Sequence, residues 1–376
     1  MGRRNKGKQK KTKYCDYSLF FLVIFLLGFG LVMLYSVSAY NANLKFNDTM
    51  HYLKRQGFAA ILGITAMVVI SRIDYHVWIH FGNLAYFLAL GLCVIVIFVA
   101  DERNGSARWL PLGPLSFQPS ELAKLATILF LSGIVCRIPK QIGKFSNLLK
   151  VMAMTIPLFV VVAYTNLSTA IIIMGISIVI TFVASPKYWQ FIAMGVVGVF
   201  GGGVLFIMAA TYRMDRIEAW LHPEDFTTGT AFQTLQGLYA IGSGGLFGKG
   251  LGQSMQKLGF VPEAQNDMIF SIICEELGLF GAVCVILLFL LMIWRLMVIA
   301  NNAADLYGAL IVSGIMAHIA IQVILNIAVV TNTIPNTGIT LPFISYGGTS
   351  TSFLLAEMGL ALGVSRGIRL EGTDHD

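Results

Sequence analysis

Carboxylates that interrupt apolar sequence are the residues of this chain best suited to chemistry. In the stretch VPEAQNDMIFSIICEELG (261–278), Asp267 stands where polar sequence gives way to a long apolar run. Glu275 and Glu276 follow inside that run. A positioned carboxylate can act as a general base. A structural role for Asp267 is also open, because the dipole of a helix favours an acid at its N-terminus.

The two glutamates differ in the direction that a helix would give them. In a helix that starts at Asp267, Glu275 lies about 80° around the axis and Glu276 about 180° around it. Acids inside an apolar run are costly and normally face a polar cavity or a partner charge. We therefore expect Glu275 to face the same cavity as Asp267, and Glu276 to pair with a basic residue of another helix.

A second charged pair occurs in the stretch NGSARWLPLGPLSFQPSELAK (104–124). Pro119 suits the first turn of a helix, and Glu121 and Lys124 then share one face. One interpretation is that Arg108 and Lys124 bind an anionic headgroup while Glu121 orients Lys124. The alternative is an ion pair at the membrane interface, beside a Trp109 anchor.

A long polar segment, 211–267, is basic and rich in glycine. Its run GSGGLFGKGLG resembles a phosphate-binding loop but fails the pattern twice, since Ser243 replaces the first glycine and Gly250 follows Lys249. The glycines still permit close approach of the backbone to a ligand, or simply a loop that folds back at the membrane surface. The basic residues considered for an anionic ligand are Arg213, Arg216, Lys249 and Lys257.

The stretch NTIPNTGITLPFISYGGTSTSF (332–353) combines prolines, glycines and hydroxyls near the end of an apolar run. Irregular backbone at membrane depth is tolerated only where protein or water covers it. This segment is therefore either a re-entrant turn or part of a cavity wall, with Ser345 as a candidate contact for a ligand.

The elements that position these residues are membrane helices. Of 376 residues, 56% are hydrophobic and 12% charged, whereas soluble domains are about 25% charged. Apolar runs of about 20 residues are too long for barrel strands and predict helices. Ten spans are predicted in an all-α, polytopic membrane protein, near 17–39, 55–72, 79–100, 120–136, 149–164, 167–185, 190–210, 268–294, 306–330 and 351–366.

The distribution of basic residues predicts the orientation. The tail 1–16 contains GRRNKGKQKKTK and is expected to be cytoplasmic. An even number of spans in the single domain 17–366 returns the tail 367–376 to the same side and puts loop 211–267 outside. The net charge of +7 is concentrated in the N-terminal tail, so it does not indicate nucleic acid. The five cysteines lack metal-ligand spacing, and no cofactor is indicated, although a divalent cation is left open.

The pieces NGSARW, QPSELAK, AIGSGGLFGKGLG, PEAQNDMIFSIICEELG and LPFISYGGTS occur in this order across most of the chain. As a set they resemble the SEDS family (shape, elongation, division and sporulation), which includes FtsW, RodA and SpoVE. The spacing GLGQSMQK followed by PEA is nearer to FtsW and SpoVE. The resemblance implies ten helices and a peptidoglycan glycosyltransferase that polymerises lipid II on the outer face of the bacterial plasma membrane. It also implies a class B penicillin-binding protein, a transpeptidase, as partner, together with other division proteins.

Residue by residue, the resemblance makes Asp267 the essential acid and puts Glu121 and Lys124 in the central cavity. Two departures stand out. Gln265, Asn266 and Met268 surround the aspartate where the family more often has His-Thr and Phe, and Asn166 replaces a family carboxylate.

The implied reaction is an inverting transfer that forms a β-1,4 bond between lipid II and a lipid-linked glycan strand, with undecaprenyl pyrophosphate leaving. Two other functions use the same residues. A lipid II flippase would need charged groups along a passage open to both leaflets, and a non-catalytic division scaffold would need no reactive acid.

Overall fold

The computed structural model describes residues 15–99, 109–112, 115–139, 141–195, 218, 220–225 and 229–368. Helices dominate, with one short antiparallel ribbon in which Leu110 pairs with Phe117. The elements are α1 (Tyr17–Phe46), α2 (His51–Arg72), α3 (Trp78–Val99), β1 (Leu110–Leu112), β2 (Leu115–Phe117), α4 (Pro119–Arg137), α5 (Phe145–Ala153), α6 (Ile156–Thr165), α7 (Leu167–Ala184), α8 (Gly229–Gly244), α9 (Ile269–Asn301), α10 (Leu306–Val330) and α11 (Gly348–Ser365). Short 3-10 turns occupy Tyr75–Val77 and Pro223–Asp225.

Most of the predicted membrane spans are present as helices. Within the described residues, seven helices are long and apolar enough to cross a membrane, and the pair α5–α6, bent by 42°, would add an eighth. They match the first six predicted spans and the eighth and ninth. The seventh, 190–210, lies almost wholly outside the described residues. The tenth is present as α11, whose hydroxyls and Glu357 make it less apolar than the others. An all-helical membrane fold is confirmed.

Side chains cap several helix starts and so define where the spans begin. The carboxylate of Asp16 accepts the N–H of Leu19 at 2.9 Å and caps α1. The amide oxygen of Asn166 accepts the N–H groups of Ser168 and Thr169 at the start of α7. Each cap satisfies backbone donors that a helix leaves without partners in its first turn.

The helices pack closely where glycine replaces a larger side chain. Gly63 of α2 lies against Leu355 of α11, and Gly359 of α11 lies against the backbone of Met67. Gly82 of α3 approaches the backbone of Leu129 on α4 in the same way. Small residues let membrane helices approach closely, and dispersion forces then hold them together. These contacts join α2 to α11 and α3 to α4.

A loop inserts into the hydrogen-bond ladder of α9 at a break. Gly278 has φ +70° and ψ −170°, which is not helical. The carbonyls of Glu275 and Glu276 accept the N–H groups of Lys249 and Gly250, both at 2.9 Å. The N–H groups of residues 279 and 280 donate in turn to the carbonyls of residues 245 and 246. The glycine-rich run therefore serves the fold, by satisfying the backbone groups that the break exposes.

Two local expectations are corrected. The segment 211–267 is not only a loop, because it contains α8, which packs on α9. The helix after Asp267 starts at Ile269 rather than at Asp267 itself. Residues 261–268 form successive turns before it.

Replacement of Gly278 by alanine is expected to destabilise the protein by at least about 1–3 kcal/mol. Its φ of +70° disfavours any side chain, and a Cβ would overlap the backbone of Leu246 and Gly248. Thermal unfolding of the purified protein in detergent measures the effect. Gly91→Ala in α3 is the control, since no atom lies within 4 Å of its Cβ position, and equal loss in both variants would contradict the account.

Candidate active site

Three of the stretches singled out in the sequence, 104–124, 261–278 and 332–353, contribute residues to a polar cavity of about 620 Å³. Its walls come from the N-terminal ends of α2, α4 and α7, from α8, and from the segments before α9 and α11. These ends all lie on the side that the charge pattern predicts to be external; the orientation itself stays a prediction. Polar side chains of the lining include Tyr52, Arg55, Gln118, Glu121, Lys124, Asn166, Thr169, Gln233, Glu263, Asn266, Asp267, Gln322, Asn336, Tyr346 and Ser350.

Asp267 lies half-buried in the cavity wall and accepts hydrogen bonds from Gln233 and Asn326. Gln233 Nε2 donates to its Oδ1 at 3.3 Å. The side chain of Asn326 donates to its backbone carbonyl at 2.8 Å and to that of Ile339 at 2.7 Å. The N-cap position of α9 belongs to Met268, so Asp267 lies one residue before the position of a capping side chain. Its position suits a base that must reach a ligand.

Glu121 and Lys124 form a buried ion pair in the same cavity. Lys124 Nζ lies 2.9 Å from Glu121 Oε1, and the two side chains are 2% and 7% exposed. Lys124 also donates to Gln322 Oε1 at 3.0 Å. The ion pair that both interpretations of this motif predicted is therefore present, and it is buried in the cavity wall with Trp109 nearby. Lys124 is held by two acceptors at the cavity wall.

Arg55 is a cavity cation that the sequence interpretation missed. It lines the cavity from the first turns of α2. Among the described residues, no carboxylate oxygen lies within 4.0 Å of its guanidinium. Burial raises the pKa of the Tyr346 hydroxyl, and the nearby Arg55 partly offsets that rise. Tyr346 therefore keeps its proton at neutral pH, while Arg55 has positive charge to offer to a ligand.

Asn166 lines the cavity at the place where the resembled family has an acid. Its side-chain oxygen is used in capping α7. The cavity therefore has one carboxylate fewer than the family pattern predicts.

Glu275 does not face this cavity, and that expectation is corrected. Its carboxylate is fully buried and lies 2.7 Å from Lys249 Nζ. The Ser254 hydroxyl and the N–H groups of Met255 and Gln256 also donate to it. The prediction failed because it assumed a continuous helix from Asp267 and could not include partners from the inserted loop.

Glu276 has a basic partner as expected, but that partner, Lys257, lies in the turns before α9 rather than on another helix. Lys257 Nζ lies 2.7 Å from Glu276 Oε1, and both side chains are buried. Ser36 of α1 donates to the same carboxylate at 2.8 Å. Lys249 and Lys257, both considered for ligand binding, thus fasten the segment before Asp267 to α9. They do not line the cavity.

Ser345 is buried behind the cavity wall rather than in it. Its hydroxyl accepts the N–H of Leu341 at 2.8 Å, which shapes the LPFISYGG turn. Arg108, Arg213 and Arg216 lie outside the described residues. In the part of the chain that the structure describes, no group of three or more His, Cys, Asp or Glu side chains is placed to hold a metal ion.

The fold and the cavity define a multi-pass membrane protein with a polar site at one end of its helices. The family model FtsW/RodA/SpoVE, described as a cell cycle protein, matches residues 17–369, and the chain belongs to this family. The assignment made from the ordered motifs is thereby confirmed.

Relatives and solved structures match nearly the whole chain. Stage V sporulation protein E of Bacillus subtilis is 42% identical over 95% of this chain and 98% of its own. A probable peptidoglycan glycosyltransferase FtsW of Trichlorobacter lovleyi is 35% identical, with 94% of each chain covered. A chain from a peptidoglycan synthase complex that coordinates polymerization and crosslinking has a TM-score of 0.78 and 26% identity, covering 94% and 98%. The rod shape determining protein RodA of Thermus thermophilus has a TM-score of 0.68 and 27% identity, covering 95% and 98%.

Substitution of Lys257 by methionine is expected to destabilise the protein by about 3–5 kcal/mol, because it leaves the buried charge of Glu276 without its cation. The double variant Lys257→Met/Glu276→Gln removes both charges and should recover most of the loss. Thermal unfolding in detergent compares the two. A double variant as unstable as the single one would show that the ion pair is not what the fold requires.

Proposed function

We propose that this protein is a peptidoglycan glycosyltransferase that polymerises lipid II on the outer face of the plasma membrane. The observation that carries the proposal is a half-buried aspartate, Asp267, in one polar cavity with two cations, Arg55 and Lys124. A base and cations for a departing pyrophosphate are what this transfer needs. The names of the relatives support the same class of reaction.

Asp267 acts as the general base in this scheme. Its carboxylate accepts the proton of the GlcNAc 4-hydroxyl of lipid II while that oxygen attacks C1 of the terminal MurNAc of the growing strand. The bond from C1 to the pyrophosphate oxygen breaks on the opposite face, so C1 inverts and a β-1,4 bond forms. General-base help of this kind is worth about 10²–10⁴-fold in rate.

The cavity cations stabilise the leaving group. Negative charge grows on undecaprenyl pyrophosphate as the bond breaks, and fixed cations stabilise growing charge most where water is excluded. Lys124, held by Glu121 and Gln322, and Arg55 take this role. Arg108, Arg213 and Arg216 remain proposed contacts for the same pyrophosphate or for its partner strand.

The site's position suits a lipid-linked substrate. The cavity opens at the ends of membrane helices, so the undecaprenyl tail can stay in the bilayer while the sugars react in water. A divalent cation, if used, would accompany the pyrophosphate oxygens. A class B penicillin-binding protein is the proposed partner that crosslinks the product, with other division proteins around it.

A lipid II flippase is the second candidate and fits less well. It needs polar groups along a passage to both leaflets, whereas the cavity's polar lining gathers at one end of the helices. A non-catalytic scaffold is the third candidate. It would not need an aspartate held in place in a cavity, whereas Gln233 and Asn326 both donate hydrogen bonds to Asp267.

The variant Asp267→Asn should lower lipid II polymerisation by about 10²–10⁴-fold, because the amide cannot accept the proton. The purified variant with its transpeptidase partner is supplied with lipid II, and glycan formation is measured. Asp48→Asn is the matched control, since it removes an exposed aspartate that pairs with Lys54 outside the cavity. Normal polymerisation by folded Asp267→Asn would contradict the assignment of Asp267 as the general base.

The variant Arg55→Met should lower the polymerisation rate by about 10-fold or more, because a fixed cation is lost near the leaving group. Arg55→Lys should lose less, since it keeps the charge. The initial rate at saturating lipid II measures both, and thermal unfolding checks the fold. Equal rates for Arg55→Met and the unaltered protein would show that Arg55 does not stabilise the leaving group.

A further inference from the structure

A buried histidine and glutamate lie behind the cavity and are not explained by the proposed reaction. His318 of α10 and Glu357 of α11 are 1% and 0% exposed, and His318 Nδ1 lies 2.7 Å from Glu357 Oε2. Neither residue lines the cavity. Ionisable groups in a membrane interior are costly and usually have a function. An apolar pair of similar size would often stabilise a fold equally well, so stability alone does not account for this pair.

The pair is connected to the cavity by one residue. Gln322 follows His318 by one helical turn, about 6 Å along α10. Its Oε1 lies 2.9 Å from His318 Nε2 and accepts from Lys124 Nζ at 3.0 Å. An unbroken chain of hydrogen bonds thus leads from Glu357 through His318 and Gln322 to the ammonium of Lys124.

The directions of these hydrogen bonds follow from their acceptors. Gln322 Nε2 donates to the carbonyl of Thr340 at 3.0 Å. A carbonyl cannot donate, so the Gln322 amide is fixed with Oε1 towards Lys124 and His318. An amide oxygen only accepts, so His318 Nε2 must carry a hydrogen. Nδ1 then either donates to an ionised Glu357 or accepts from a protonated one, and either arrangement keeps Nε2 a donor.

Lys124 needs such support because its side chain is flexible. An ammonium on a four-carbon stem has many rotamers, and its three donors rotate freely. Glu121 and Gln322 supply two fixed acceptors at 2.9 and 3.0 Å. His318 holds the second of these acceptors, Gln322 Oε1, by a hydrogen bond from the side away from the cavity.

We propose that His318 and Glu357 are positioning residues that fix Gln322 and, through it, hold the Lys124 ammonium where the leaving pyrophosphate develops its charge. The inference rests on the proposed function, and it adds residues that do not touch substrate. A misplacement of about 1 Å at such a group can cost about 10²-fold in rate.

The hydrogen-bond chain can be tested without any enzymatic assay. Protein labelled with ¹⁵N-histidine is studied by NMR in lipid nanodiscs, and the His318 signals are assigned by their loss in His318→Leu. A protonated Nε2, with a shift that changes in Gln322→Leu, is expected. An unprotonated Nε2 would overturn the proposal, whether or not the chain polymerises lipid II.

The positioning role is tested by removing the whole pair. The variant His318→Leu/Glu357→Leu leaves no buried charge alone, so it should unfold near the unaltered protein's temperature. Its kcat for lipid II polymerisation should fall by about 10–100-fold, while KM stays near its normal value. In a Lys124→Met/Glu121→Gln background, which leaves no buried charge alone, the same pair of changes should have little further effect, because Lys124 is the group through which they act.

Conservative and remote variants complete the test. Glu357→Gln should keep most activity, because its amide can donate to Nδ1 and leave Nε2–H in place. Asp16→Asn/Arg295→Gln removes another buried ion pair, far from the cavity lining, and should keep normal kcat. Normal kcat in the His318→Leu/Glu357→Leu variant, or an equal loss in either of these two, would overturn the proposal. If the unaltered protein makes no glycan, the proposed function fails, and the NMR result alone decides on the hydrogen-bond chain.

Discussion

The cost of burying charge in a membrane interior organises this structure. Among the described residues, every buried carboxylate has a basic partner within 4.0 Å. The pairs are Asp16–Arg295, Glu121–Lys124, Glu275–Lys249, Glu276–Lys257 and Glu357–His318. Breaking a buried pair costs several kcal/mol, whereas replacing both partners can cost nothing. The pairs thus constrain which helices and loops lie together.

Three of these pairs lie in the cavity or hold the segment that carries Asp267. The pairs of Glu275 and Glu276 fasten the inserted loop and the turns that follow it to α9, and those turns end in Asp267. The pair Glu121–Lys124 lies in the cavity itself. The ion pairs that offset the cost of buried charge therefore also fix the position of the proposed base and of one cation.

How much the sequence could predict depended on how local the interaction is. Glu121 and Lys124 are three residues apart on one helix, so their spacing was enough. The ordered motifs were enough for the family and for Asp267 in the cavity. Glu275 was placed wrongly because the helix begins at Ile269 rather than at Asp267, and because the loop inserted at Gly278 supplies the partners of Glu275. The φ angle of one glycine is not evident from an apolar pattern.

Other parts of the site depend on contacts between distant segments. Arg55 looked like an ordinary basic residue near a helix end, and only the folded α2 shows it in the cavity. His318 and Glu357 are 39 residues apart on different helices. Their pairing has no periodic signature. Ser345 belongs to a recognisable motif, but its hydroxyl serves the turn rather than the cavity.

The central claim is that this chain itself joins lipid II into glycan. The most direct measurement incubates the purified chain with its transpeptidase partner and lipid II, and quantifies both polymer and released undecaprenyl pyrophosphate. We expect a muramidase-sensitive polymer and one undecaprenyl pyrophosphate for each bond formed. Lipid II that crosses the bilayer in proteoliposomes, with neither polymer nor pyrophosphate released, would contradict it.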